Sequence, residues 1–168
     1  MTAAYPFSVS SDEFKGKRVL VTGGTKGMGE AIVRRFTLSG STVATTARSP
    51  LPHGQNAAIF VQADIGTAEG VKKVVDRIED AWNGLDILVH CLGGSEAPTG
   101  GFRALTNDDW QRALNVNLLA AVRLNRAFLP GMIERHSDVV IHISSIQHRL
   151  PLHNATLAYP YALRSLLG

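Results

Sequence analysis

Three glycines, Gly23, Gly27 and Gly29, follow the apolar run Val19-Leu20-Val21 at the spacing Gly-x3-Gly-x-Gly. A strand that enters a glycine turn and then opens a helix is suited to holding a pyrophosphate. Gly23 can take the tight turn out of the strand. Gly27 lets the backbone approach a phosphate with no Cβ in the way, and Gly29 lets the helix lie close to the sheet. The phosphates would meet free N–H groups and the positive end of the helix dipole. Thr25, Lys26 and Met28 fill the turn and belong to the same expected dinucleotide site. A second group, Arg48-Ser49, follows the next strand, and no acid stands there. An acid would hold the ribose hydroxyls of NAD(H) and repel a 2′-phosphate, whereas an arginine accommodates that phosphate. Lys26 adds a second cation within reach, so the pair points to NADP(H) over NAD(H). Asp64-Ile65 could bracket the adenine, the carboxylate accepting from its exocyclic amine. The other reading of Asp64 is an aspartate that builds a turn. Cys91-Leu92-Gly93, at the end of a further apolar run, completes the expected cofactor-binding set.

These residues need a scaffold that brings them to one edge. The pattern predicts strands over about 18–22, 42–46, 58–62, 85–92 and 139–143. A helix is expected from about Lys26 to Ser39, stopped by Gly40. Another is capped by Thr67, with Val71, Val74, Val75, Ile78 and Trp82 on one face, and ends at Gly84. Thr106 and Asp109 have capping-box spacing and begin a long helix that Pro130-Gly131 should bend or break. Strands alternating with helices imply an α/β fold, a doubly wound parallel sheet with helices on both faces. In such a sheet ligands bind at the carboxyl ends of the strands. The glycine turn, Arg48, Asp64, Gly93 and Ser145 each follow a strand, and this convergence outweighs any one motif. Residues 1–15 read as a surface arm and 16–168 as a single Rossmann-type NADP-binding domain.

Composition narrows the function further. The chain has 168 residues, 45% hydrophobic and 18% charged, with a net charge of +3. Its Lys and Arg residues are scattered, which argues against a nucleic-acid surface. The N-terminal stretch carries Asp12 and Glu13 and does not read as a secretory signal. No apolar run of about 18 residues suggests a membrane span. The single cysteine, Cys91, fits a reducing, cytoplasmic setting and reads as a core thiol, since no basic partner is evident. The six histidines show no metal-ligand spacing, so no metal site is expected.

Taken together, the residues resemble the short-chain dehydrogenase/reductase family. The carriers are Thr22-Gly23-x3-Gly27-x-Gly29, Asp64-Ile65, Asn117 within Asn115-Val116-Asn117-Leu118, Ser145 and Tyr159. The resemblance runs from about Lys15 to Tyr159. It implies hydride transfer between a nicotinamide and a small-molecule carbonyl or alcohol. By resemblance Tyr159 is the general acid/base, Ser145 holds the substrate oxygen with Ser144 as its fallback, and Asn117 orders a relay water. The family lysine four residues after the tyrosine binds the nicotinamide ribose and lowers the tyrosine pKa.

That lysine is Leu163 here; counting from Tyr161 instead gives Ser165. Arg164 could bind ribose but cannot relay a proton. A phenol without a nearby cation is almost wholly protonated at neutral pH, so turnover is expected to fall by several orders of magnitude. The family also continues with the rest of the helix, two strands and a substrate-covering loop, so the domain is expected to be C-terminally truncated and to lack its last strands. Strand five would then be an apolar edge, favouring a homo-oligomer. The substrate would meet what remains, Gly93–Phe102, Gln147, His148 and 150–154. His90, where the family commonly has asparagine, puts a tie at the sheet centre in doubt. The alternative to an impaired oxidoreductase is a non-catalytic NADP(H)-binding protein or an inactive fragment.

Overall fold

Val19, Leu20 and Val21 are fully buried, so this run must be flanked by strands on both sides and covered on both faces. In the computed structural model, which describes residues 10–54, 57–136, 139–152, 154 and 156–167, that is its position. The strands are β1 (Arg18–Thr22), β2 (Thr42–Ala47), β3 (Ile59–Gln62), β4 (Ile87–His90) and β5 (Val139–His142). They form one parallel sheet in the order β3-β2-β1-β4-β5. The helices are α1 (Gly27–Leu38), α2 (Ala68–Trp82), α3 (Asn107–Leu114), α4 (Ala120–Arg135) and α5 (Ala158–Leu167).

Strand periodicity divides the core in two. Val19 and Val21 pack with Val33 and Phe36 of α1. Leu20 points the other way and packs with Val74 and Ile78 of α2 and Leu124, Phe128 and Met132 of α4. The chain moves outward from β1 through β2 to β3, and α2 then carries it back to β4 on the other side of β1. The order therefore reverses between β1 and β4, where a crevice opens at the carboxyl ends of the strands.

Local signals set most element ends. Thr67 caps α2 by accepting the Gly70 N–H at 3.0 Å. Asn83, left-handed at φ 53°, ends that helix one residue before the expected Gly84. Thr106 and Asp109 form the capping box of α3. Two features depart from expectation. The long helix is interrupted by one π-helical turn, Asn115–Leu119, which separates α3 from α4. Pro130 does not break α4, which runs on to Arg135. Phe128 and Met132, buried on either side of the proline, hold that turn in place despite the missing N–H.

Of the expected arm, residues 1–9 lie outside the described residues. The rest docks on α1: the Phe14 ring packs tilted against Phe36 with ring centres 4.9 Å apart, and the Phe14 N–H donates to Ser39 O at 2.8 Å. At the far edge β5 pairs with β4 alone among the described residues.

Candidate active site

Threonine hydroxyls fasten the crevice. Thr22 ends β1, and its Oγ1 accepts the N–H groups of Cys91 (3.0 Å) and Leu92 (3.1 Å), tying the exit of β4 to that of β1. Thr45 Oγ1 donates to Val21 O at 2.8 Å and accepts the Gly24 N–H at 3.0 Å. Gly23 turns the chain at φ 71°, and a Cβ on Gly29 would stand 2.2 Å from Gly23 O. The turn is thus closed against its own helix, and both glycines are sterically required. The N-cap of α1, Lys26, supplies no capping side chain, so the first turn of this helix keeps its anion-binding character.

Adjoining cavities open along this edge. One lies over the glycine turn, lined by Gly23, Thr25, Lys26, Met28 and Gly29 and, beyond β2, by Thr46, Arg48 and Ser49. A second lies toward α5, lined by Asn117, Ser144, Tyr159 and Leu163. Met28, Ile65, Cys91, Leu92 and Gly93 line both, so the two form one trough. A third holds Lys26, Arg48, Asp64, Glu96 and Arg112. The trough suits an extended, anionic ligand such as a dinucleotide. Its glycine wall has no room for side chains, its helix N-terminus is uncapped, and Thr46 Oγ1 on its lining is buried without a partner among the described residues.

Most sequence-predicted residues converge here, in differing ways. Gly27 lines none of these cavities; its φ of 56° and the open space beside it mark it as a backbone residue of the turn. Ile65 lines the trough and Asp64 the third cavity, so the two do not flank one space. Asp64 Oδ1 accepts the Gly66 N–H at 2.9 Å, the turn-building role weighed above. Arg48 is held by Glu96, its Nη2 2.9 Å from Oε1. Cys91 is half-buried and lines the trough; burial raises its pKa, which keeps it a thiol.

At the other end Tyr159 and Asn117 share a cavity. Asn117 is buried, and its amide donates to Gly94 O and Ala113 O, each at 2.9 Å, while Oδ1 accepts the Gly94 N–H at 2.9 Å. It clamps the loop after β4 to the π turn, and its two amide hydrogens are both used. Ser145 Oγ accepts the Gln147 N–H at 3.3 Å and starts a short 3-10 turn. Ser144 instead lines the cavity, and its Oγ is buried without a partner among the described residues. Leu163 lines the cavity beside Tyr159, and Arg164 is exposed and outside it. Of the expected substrate-contacting residues, Gly93–Ala97 line these cavities. Gln147, His148 and the described part of 150–154 do not, and residue 153 lies outside the described residues.

His90 ends β4 beneath this cavity. Its Nε2 donates to Asn125 Oδ1 at 2.8 Å, and its ring stacks on His142 at 4.5 Å. Burial pushes the His90 pKa down to about 4, against the hydrogen bond to Asn125, and burial lowers His142 as well. The support expected from asparagine is thus supplied by an imidazole that stays neutral. Among the described residues no group of three or more His, Cys, Asp or Glu could hold a metal, and no helix is long and apolar enough to cross a membrane. Thr46 is a site residue the sequence reading gave no role, and Glu96, expected only within the substrate-lining stretch 93–102, pairs with Arg48 instead. The signal for Glu96 was an acid inside a glycine-rich stretch at a strand's carboxyl end.

A parallel sheet with a glycine turn at its switch point and a tyrosine across the trough defines a dinucleotide-binding oxidoreductase fold. A family model described as short chain dehydrogenase matches residues 17–160, and the chain belongs to that family. It is 32% identical to an uncharacterised oxidoreductase of Mycobacterium tuberculosis, over 93% of this chain and 50% of that protein. It is 31% identical to an NADP-dependent 3-hydroxy acid dehydrogenase of Escherichia coli, over 84% of this chain and 61% of that protein. Among solved structures, L-sorbose reductase from Gluconobacter frateurii, complexed with NADPH and L-sorbose, superposes with a TM-score of 0.83 at 29% identity. That match covers 94% of this chain and 62% of that one. The chain spans about half the length of the curated relatives it matches first.

Proposed function

We propose that this chain is the NADP(H)-binding part of an oxidoreductase acting on a small-molecule carbonyl or alcohol, with proton transfer impaired by Leu163. The observation that carries the reading is the continuous trough. It has cations Lys26 and Arg48 at one end and Tyr159 at the other, with the glycine turn between. A bound nicotinamide supplies the hydride exchange. The chain's own residues do the rest. The glycine turn and the first turn of α1 would hold the cofactor's pyrophosphate, and Arg48 and Lys26 would pair with its 2′-phosphate. Ser144 or Ser145 donates to the substrate oxygen, and the Tyr159 hydroxyl exchanges a proton with it. Asn117 holds the Gly93-Gly94 loop against the π turn. Leu163 offers neither charge nor proton where the family has lysine, so Tyr159 works without a cation beside it.

A second reading, a non-catalytic NADP(H) binder, is favoured by the same Leu163. NADP(H) preference is supported by Arg48 with no acid after β2, and by the NADP-dependent and NADPH-complexed relatives. A cytoplasmic setting is supported by the single cysteine. Fluorescence titration with NADPH and NADH tests binding; the expectation is tighter NADPH. Following NADPH absorbance with simple aldehydes and ketones tests catalysis, expected several orders of magnitude below ordinary family rates. Equal or tighter NADH binding refutes the cofactor preference, and ordinary turnover refutes the impairment.

A further inference from the structure

An ion pair stands where the third cavity meets the trough. Arg48 leaves β2, Glu96 lies in the loop after β4, and their side chains bridge the space between, Nη2 to Oε1 at 2.9 Å. Lys26, Arg48, Leu92 and Gly93 line the spaces on both sides, and Glu96 lines the third cavity alone. Both partners are largely exposed, the side chains 62% and 75% accessible.

We propose that Glu96 is a specificity-determining residue that competes with the cofactor 2′-phosphate for the Arg48 guanidinium. The inference rests on the NADP(H) reading above. A guanidinium fork takes a carboxylate or a phosphate with the same geometry, so two anions contend for one cation. A ligand with a 2′-phosphate must take Glu96's place and then lies beside the displaced carboxylate. A ligand with a plain ribose brings no competitor, and the bridge stays shut. The penalty therefore falls on NADP(H) alone, and the cation that selects the phosphate is partly masked by its own neighbour. An exposed pair is readily opened, being worth at most about fivefold in an equilibrium constant, so Glu96 tunes the preference and does not forbid binding.

The test is calorimetric titration of the full chain with adenosine 2′,5′-bisphosphate and with adenosine 5′-monophosphate. The proteins are the parent, Glu96→Gln, Arg48→Gln and the double variant, with melting curves to show that each is folded. Glu96→Gln is expected to tighten the bisphosphate about three- to fivefold and to leave the monophosphate within about twofold. In the Arg48→Gln background the same change is expected to do nothing. If Glu96→Gln leaves bisphosphate binding unchanged or weaker while Arg48→Gln weakens it, the competition is overturned and the cofactor reading stands. If Arg48→Gln does not separate the two nucleotides, both fall.

Discussion

Under the proposed function, Leu163 sets how far this chain can go chemically. It lines the cavity with Tyr159 one helical turn away, on the face where the family carries an ammonium. A positioned proton-transfer system contributes on the order of 10²–10⁴-fold to a rate, and a leucine contributes none of it. Leu163→Lys should therefore raise carbonyl-dependent NADPH oxidation by about 10²-fold, within the general acid/base range. Part of the gain could be masked by the cost of a charge at a buried position, 3% accessible in the parent, so a melting curve accompanies the assay. A folded variant with no gain in rate would remove Tyr159 from the role proposed for it. The residue scale also separates two serines that the sequence leaves side by side. Ser145 Oγ already accepts a backbone N–H, whereas Ser144 lines the cavity with a buried hydroxyl that has no partner among the described residues.

The glycine turn and the β4–β5 pair show how elements hold these residues in place. Gly29→Ala puts a methyl 2.2 Å from Gly23 O, backbone that cannot yield without opening the turn. The expected outcome is loss of NADPH binding in titration together with a lower melting temperature; binding at parental affinity would contradict the rigid turn. The stacked His90 and His142 predict an acid limb. Their folded-state pKa values lie below the unfolded value of about 6.5, His90 at about 4. Between about 6.5 and 4 the unfolded chain binds more protons at His90, so stability is full above about pH 6.5 and falls as pH drops toward 4, by up to about 1.4 kcal/mol per pH unit for His90, with His142 adding in the same direction. His90→Asn should flatten this limb in urea melts between pH 7 and 4. An unchanged slope would place the effect elsewhere. Most of this architecture was legible: β1 as a buried run, Thr67 and Thr106 as caps, and Asn117 at the site. Local patterns alone did not show that α4 survives Pro130, because Phe128 and Met132 are held by residues distant in sequence. The π turn was hidden for the same reason, since Asn117 is clamped by Gly94 across the fold. Glu96 was hidden because its partner lies 48 positions away in the chain.

At the scale of the molecule the sheet is asymmetric. The β3 edge follows a polar, proline-containing loop, whereas β5 is Val139-Val140-Ile141-His142, hydrogen-bonded to β4 alone among the described residues. Register places Val139 beside Ile87 and Ile141 beside Val89, so both lie on the sheet face covered by α1 farther in. Out at β5 that cover ends, leaving Val139 48% and Ile141 36% accessible. An apolar strand with a free row of N–H and C=O groups is a template for another strand. The chain on its own should therefore self-associate, sedimenting as a mixture whose average mass grows with concentration. Ile141→Lys places a charge on that face without touching the trough. It should shift the mixture toward monomer and leave NADPH affinity within about twofold, as expected for sites that share no partners. A parental chain that sediments as a uniform monomer at concentrations of about 10² µM would show that this edge is protected, against the general tendency of such strands to pair.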